Sequence, residues 1–479
     1  DRVQYYALLF LLLGATQDAF FAIDLVNFYL FLEMTTIITY LLVIHNKDSE
    51  ALQAGYKYLI ISLIGAFLVF LSILFAYRSM GNFKMANIIT CGESVVPILF
   101  LMGCFIKAGA VPFHIWLPEA HPAAPSPISA FLSGIMIKIG LYGIIRVLFV
   151  NSPFQFTFPV IEKSLLILIM IIGIISMFVG VFLALIQTDV KRLLAYSSIS
   201  QIGYILLGIG LGNQLGLTGA LYHIINHAAF KGLLFLGIGA VIYRVGSRKL
   251  TDMGGLWKKM PITTLTCIIA ALSISGIPPF NGFASKMLIG KAAGEYQLFL
   301  KYLLMTVSAL TFAYFFKLIK FTFFGRGKKM SKVVEEVPLP MVLPMIVLSV
   351  FCLILGVKAN TVYGNFLPIS LNQVNAVDPF LNIKFWTQKM LNDTLWTVLL
   401  GFALYGITSK IGLIGKGGKD GKKVISGFIT YLSIDLFYSY LAGLLQKMCR
   451  RIARLYSDDL NMHLSWIVLM VIVLYLIFQ

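Results

Sequence analysis

FIKAGAVPFHIWLPEAHPAAPSPISAFLSGIMIKIGLYGIIR, residues 105–146, is the stretch on which the fold turns. An apolar segment running from Val95 to Trp116 is interrupted by GAVPFHIWLP directly after Lys107, and a second apolar segment, Ile128 to Val150, encloses Lys138. Proline removes a backbone donor and breaks the helical ladder. At membrane depth the freed carbonyls and amides are tolerated only where protein or a water-filled cavity satisfies them. A similar interruption, SGIPPFNGF, precedes Lys286 inside the apolar run Ile262 to Lys291. A simple proline kink explains either break alone; the pair at matching places suggests repeated halves.

The rest of the chain fits this reading. Of 479 residues, 59% are apolar and 12% charged, with a mean hydropathy of +0.89, which excludes an ordinary soluble protein. The predicted fold is an all-α polytopic membrane protein. Further spans are Tyr5 to Ile23, Leu25 to Ile44, Tyr58 to Tyr77, Ser164 to Gln187, Ala195 to Leu211, Leu217 to Tyr243, Tyr302 to Phe324, Pro338 to Val357, Leu395 to Ile414 and Ser465 to Phe478, about thirteen in all. The net charge of +18 would point to nucleic acid in a soluble chain; here it is a topology signal. Alternation places Lys47, Lys57, Lys191, Arg192, Arg244, Arg248, Lys249, Lys258, Lys259, Arg326, Lys328, Lys329 and Lys332 on one face, which the positive-inside rule makes cytoplasmic in a cell membrane.

The five cysteines are scattered without metal-ligand spacing, so no disulfide, cluster or other cofactor is expected. The chain opens at Asp1 without an initiator methionine, which reads as a fragment lacking upstream sequence. Near the other end, GKGGKDGKK at 415–423 fails the phosphate-loop spacing and reads as a linker. After it, Lys447, Arg450, Arg451 and Arg454 share a face within 425–456, which predicts an amphipathic helix on the cytoplasmic membrane surface.

Seven ionisable residues sit inside apolar spans: Glu33, Lys107, Lys138, His223, His227, Lys231 and Lys286. A charge in hydrocarbon costs at least ~3 kcal/mol even on the lenient scale, so such residues face the bundle interior and mark ion pathways. Each alone could be an interhelical polar contact; seven together argue for a route. His223, His227 and Lys231 recur every fourth residue on one helix face, about 6 Å per step, as a proton wire would. Two histidines at that spacing can also bind metal, but no further ligand cluster accompanies them, so no metal site is assigned. A carboxylate and a lysine ~4 Å apart gain ~4 kcal/mol at an effective dielectric near 20, and half that at ~8 Å. That swing is comparable to moving one charge through 100 mV, about 2.3 kcal/mol. Arg146, Lys317, Lys320, Asp18 and Glu119 are explained equally well by interfacial snorkelling and are not assigned to the route.

The opening run, together with LYHIINHAAFKGLLFLGIGAVI and SGIPPFNGFASKMLIG, resembles the antiporter-like subunits of respiratory complex I, of Mrp-type sodium/proton antiporters and of membrane-bound hydrogenases. The resemblance covers about Tyr5 to Val357. It implies two inverted five-helix repeats, each a half-channel with a broken helix. Residues 1–150 would form the first, with Glu33 paired to Lys107 and Lys138 as the central lysine. Residues 151–330 would form the second, with His223, His227, Lys231 and the terminal Lys286. Residues 331–360 would add one span, and 361–479 a C-terminal extension.

The function so implied is translocation of protons, alone or in exchange for sodium, within a multisubunit complex whose redox centres lie in other subunits. The expected partners are membrane subunits, the bilayer and the transported ions, with no nucleic acid. A stand-alone carrier for a small solute, held at the broken helices, is the rival reading. A structural quinone-site or assembly subunit, with the buried charges as interhelical contacts only, is a third.

Overall fold

A computed structural model of the chain describes residues 2–85, 88–89, 91–92, 94–149, 160–325, 334–363, 383–411 and 447. Residues Asp1–Gly418 form one compact unit and Lys419–Gln479 a second. The predicted linker, surface helix and final span, and the basic residues Arg326, Lys328, Lys329 and Lys332, lie outside the described residues.

The described chain is helical, with extended pairing confined to two single bridges, Asp24–Lys84 and Asp189–Lys249. Helices α1 (Arg2–Phe21), α2 (Leu25–Val43) and α3 (Ser49–Met80) precede the first interrupted span, which comprises α4 (Val95–Ala108) and α5 (Leu117–Ala123). Next come α6 (Ser126–Phe131) and α7 (Ile137–Phe149), joined by a π-turn at Leu132–Met136. Helices α8 (Val160–Ile186), α9 (Val190–Gly210) and α10 (Gln214–Val245) lead to the second interrupted span, α11 (Pro261–Ser275) and α12 (Asn281–Tyr296). Helices α13 (Leu298–Ile319) and α14 (Leu339–Val357) follow, and the last described helix is Gln388–Lys410. Ten helical segments among the described residues are long and apolar enough to cross a membrane. The span predicted at Tyr5 to Ile23 is α1; the one at Ile262 to Lys291 is cut at Gly276 into two shorter helices.

Local sequence explains where the helices start and stop. Asp24, Asp48, Asp189 and Asn213 precede α2, α3, α9 and α10, and each accepts a hydrogen bond from a first-turn amide, satisfying donors that the helix itself cannot. Gly81 and Gly246 close α3 and α10 with φ of 66° and 74°, a left-handed conformation that glycine adopts without penalty. These devices recur at one interval: 189 − 24, 213 − 48, 246 − 81 and, for the bridge lysines, 249 − 84 all give 165.

The two interruptions are also alike. Helix α4 ends at Gly109 (φ 72°) and α11 at Gly276 (φ 77°), each three residues before a cis X–Pro bond, at Val111–Pro112 and Pro278–Pro279. Backbone freed by the breaks finds partners on neighbouring helices. The Val111 amide donates to Ser176 Oγ at 3.0 Å, and Asn226 Nδ2 donates to the Asn281 carbonyl at 2.8 Å. Protein thus meets the demand that lipid cannot.

Helix α9 is buried on every side. Its approach to α8 is close enough that a Cβ on Gly203 would lie 2.5 Å from the Gly173 carbonyl, the small-residue contact by which membrane helices pack. The outer helices instead present large apolar side chains, such as Phe67 on α3, Ile171 on α8 and Val347 on α14.

Candidate functional site: a buried file of lysines and histidines

All six of the predicted lysines and histidines are buried, and Glu33 is half-buried. Lys107, the penultimate residue of α4, points at α2, where its Nζ donates to Thr36 Oγ1 at 2.8 Å and to the Leu32 carbonyl at 3.3 Å. The expected direct pair with Glu33 is not formed. Glu33 lies beside Leu32 on the same helix, with one carboxylate oxygen buried and bonded to no protein group. Thr36, fully buried where Glu33 is only partly so, is the side chain that meets the ammonium. Helix α7 packs on α4 so tightly that a Cβ on Gly140 would come within 3.2 Å of the Lys107 Cβ. Lys138 lies half a turn from that contact, on the opposite face of α7.

Lys138 leads across to α10. Its Nζ lies 2.5 Å from His227 Nδ1 and also donates to the carbonyl of Ser133, within the π-turn. When Lys138 is an ammonium it donates to Nδ1, and the ring proton of a neutral His227 is then on Nε2. An imidazolium in place of that imidazole would repel the ammonium by about 7 kcal/mol at this distance and an effective dielectric near 20. Charging both groups at once is therefore disfavoured.

From His227 the file continues along α10. The rings of His227 and His223 have centroids 6.4 Å apart, matching the spacing expected for one helix turn. His223 is held at both nitrogens, by Ser285 on α12 (2.9 Å) and by Gln201 Oε1 on α9 (3.1 Å). The Gln201 oxygen can only accept, so His223 Nε2 donates and Nδ1 accepts from the Ser285 hydroxyl. Beyond it, the Lys286 ammonium sits 4.6 Å over the Tyr204 ring and 3.4 Å from Ser308 Oγ. Tyr204 is fixed by its own hydroxyl bonds to Ser308 and the Leu304 carbonyl.

Lys286 opens onto a cavity of about 450 Å³ between α12, α13 and the helix Gln388–Lys410. The cavity runs along α12 to Glu295 and to a partly exposed ion pair, Lys301–Asp393, 2.8 Å. Lys231 departs from the expected wire. It turns from His227 towards α9, donating to the Leu194 carbonyl (2.8 Å) and to Ser197 Oγ. It forms a side branch of the file.

Helix α9 was not anticipated as part of the site. Its run AYSSISQIGY supplies Ser197, Ser198, Gln201 and Tyr204, all buried, and Ser198 bonds Ser133 at 2.8 Å. The signal was present as a cluster of hydroxyl and amide side chains inside a span. Lys317, attributed equally to snorkelling, is 3% exposed and caps the end of α8, donating to the Leu185 and Gln187 carbonyls at 2.7 and 2.6 Å.

The profile of a family described as NADH:quinone oxidoreductase/Mrp antiporter, TM, matches residues 22–312. The chain is 36% identical over 361 residues to hydrogenase-4 component B of Escherichia coli (strain K12), a match covering 70% of this chain and 53% of that protein. The chain thus spans about half the length of that relative. It is 31% identical over 395 residues to a Na(+)/H(+) antiporter subunit of Alkalihalophilus pseudofirmus, covering 80% of this chain and 78% of the relative. Among solved structures, a chain of the membrane-bound sulfane sulfur reductase, an archaeal respiratory membrane complex, superposes with a TM-score of 0.77 at 28% identity, over 97% of this chain and 82% of that one.

Proposed function

This chain belongs to the NADH:quinone oxidoreductase/Mrp antiporter transmembrane family, and on that footing we propose that it is the proton-carrying subunit of a multisubunit membrane complex. The observation that carries the reading is the buried 2.5 Å contact between Lys138 and His227. It joins a lysine on α7 to a histidine file on α10 that leads to Lys286 and its cavity. A proton arriving at Lys107, under the influence of Glu33, passes to Lys138 and His227, then to His223 and Lys286, and leaves through the cavity. Displacement of a neighbouring charge by a few ångströms changes the energy of a protonated lysine by kcal/mol amounts, which is how a complex drives the file.

The 165-residue recurrence supports two repeats, within 1–150 and 151–330. Its members are separated by five membrane crossings, an odd number, so the second copy lies upside down relative to the first. The basic face, carrying Lys47, Arg192, Arg244 and Lys249, is assigned to the cytoplasm and the complex to the cell membrane. The relatives named above belong to complexes, which favours a subunit over a stand-alone solute carrier.

The test is proton and sodium flux in sealed vesicles holding the assembled complex, wild type against Lys138→Ala at matched subunit content. Loss of flux with the complex intact supports the reading; undiminished flux overturns it.

A further inference from the structure

The cavity beyond Lys286 has a charged rim that the proton file leaves unexplained. Lys291, Lys301 and Lys389 stand there with two carboxylates, Glu295 and Asp393. Lys301 and Asp393 pair with each other at 2.8 Å. Lys291 and Lys389 are both exposed, and among the described residues neither is ion-paired. Three ammonium groups against two carboxylates leave the rim short of one negative charge, with Lys286 buried beneath it.

Below the rim the walls turn apolar. Ser308, which meets Lys286, lies seven residues along α13 from Lys301, a drop of about 10 Å. Leu304 and Met305 line the cavity between those two levels, and Phe283 and Met287 line it from α12. Gly290 is also in the α12 wall, and a Cβ there would meet nothing within 4 Å. That wall is bare backbone beside open space, a surface along which an extended chain can lie.

Aromatic side chains mark the level of the rim. Tyr296 follows Glu295, Tyr302 follows Lys301, and Trp396 is three residues from Asp393; all three are exposed. Tyrosine and tryptophan concentrate where a membrane meets water, at the headgroups. The cavity thus offers cations at headgroup level and an apolar slot beneath them. A free inorganic anion would answer the rim and leave the slot empty, and a neutral lipid would fill the slot and leave the charge unmet. Basic pockets between membrane helices suit anionic headgroups, and a phosphate accepts charge-assisted hydrogen bonds from ammonium donors.

We infer that this cavity binds one anionic phospholipid, its phosphate held by Lys291 and Lys389 and an acyl chain in the slot beside Gly290 and Met305. Its single negative charge is the one the rim lacks. The inference goes beyond ion transport and does not depend on it, because the readout is lipid contact and not flux.

The test is photolabelling of the assembled complex in phosphatidylcholine vesicles by phosphatidylglycerol with a diazirine in one acyl chain, the labelled residues being located by peptide mass spectrometry. Label is expected on the cavity-facing residues of α12 and α13, Met287 and Met305 among them. It should fall about 5-fold in Lys291→Gln and about 30-fold when Lys389→Gln is added, the worth of one and two lysines to an anionic headgroup. Lys258→Gln with Lys259→Gln, the same loss of charge before α11, should leave it unchanged. Undiminished label in the Lys291 and Lys389 double variant overturns the inference. So does equal label from a phosphatidylcholine probe bearing the same diazirine chain, which would mean contact with bulk lipid only. Inorganic phosphate that removes the label, where chloride of equal ionic strength does not, would assign the rim to a free anion and refute the lipid. Should the variants fail to assemble, the two probes and the phosphate competition on the wild-type complex decide alone.

Discussion

Lys138 Nζ and His227 Nδ1 are 2.5 Å apart although 89 residues separate them in the chain. The contact is fully enclosed: Lys138 is 3% exposed and His227 not at all. It brings two titratable nitrogens from α7 and α10 within hydrogen-bonding distance of each other.

The two residues should therefore act as one unit. Lys138→Ala and His227→Ala are each expected to reduce proton flux by about 100-fold, and the double variant no further than the worse single one. Fluxes that multiply in the double variant would show two independent routes.

Thr36 holds the Lys107 ammonium at 2.8 Å. Thr36→Val keeps the shape and removes the acceptor, and hydrogen bonds to charged groups are worth about 1.5–3 kcal/mol. The expected result is a flux lowered by roughly 10-fold or more at unchanged subunit content, whereas Thr16→Val on α1, whose hydroxyl bonds only its own helix at the Leu12 carbonyl, leaves flux intact. Initial rates in the same vesicles check both.

Gly140 is the contact between α4 and α7. An added Cβ there would collide with the Cys104 carbonyl and lie 2.8 Å from the Ala108 amide, both backbone atoms that cannot move aside. Gly140→Ala should cost about 1–3 kcal/mol as an overpacked contact, visible as a lower Tm of the detergent-solubilised complex. Gly14→Ala, with nothing within 4 Å of the new methyl, should leave Tm unchanged.

Lys317 caps α8 through the Leu185 and Gln187 carbonyls. Lys317→Met strips two buried acceptors of their donor, a loss of about 1–3 kcal/mol per unmet group. Thermal stability should fall while flux per assembled complex stays near wild type, which separates Lys317 from the proton file.

Much of the site was legible in the chain because charged side chains in apolar runs have few explanations. Lys107, Lys138, His223, His227 and Lys286 stand out on that ground, and all are buried together. The Glu33–Lys107 pair was read too directly. Helix periodicity puts Leu32, Glu33 and Thr36 within one turn but does not say which of them faces α4. The contributions of α9 were missed because serine, glutamine and tyrosine are neutral. A serine hydroxyl in a helix can bond its own backbone, as Ser197 also does with the Leu194 carbonyl, so nothing in the sequence marks it as a partner of Lys231.

The sequence by itself determined that the chain crosses a membrane as helices, where two of those helices break, and which face is basic. These follow from local terms, since hydrocarbon requires each backbone group to be bonded within its own segment and proline or glycine cancels that locally. Only the tertiary structure decided which cation meets which base. A hydrogen bond between α7 and α10 forms or fails over a few tenths of an ångström, and that distance is set by the packing of helices far apart in the chain, through close approaches at glycines such as Gly140.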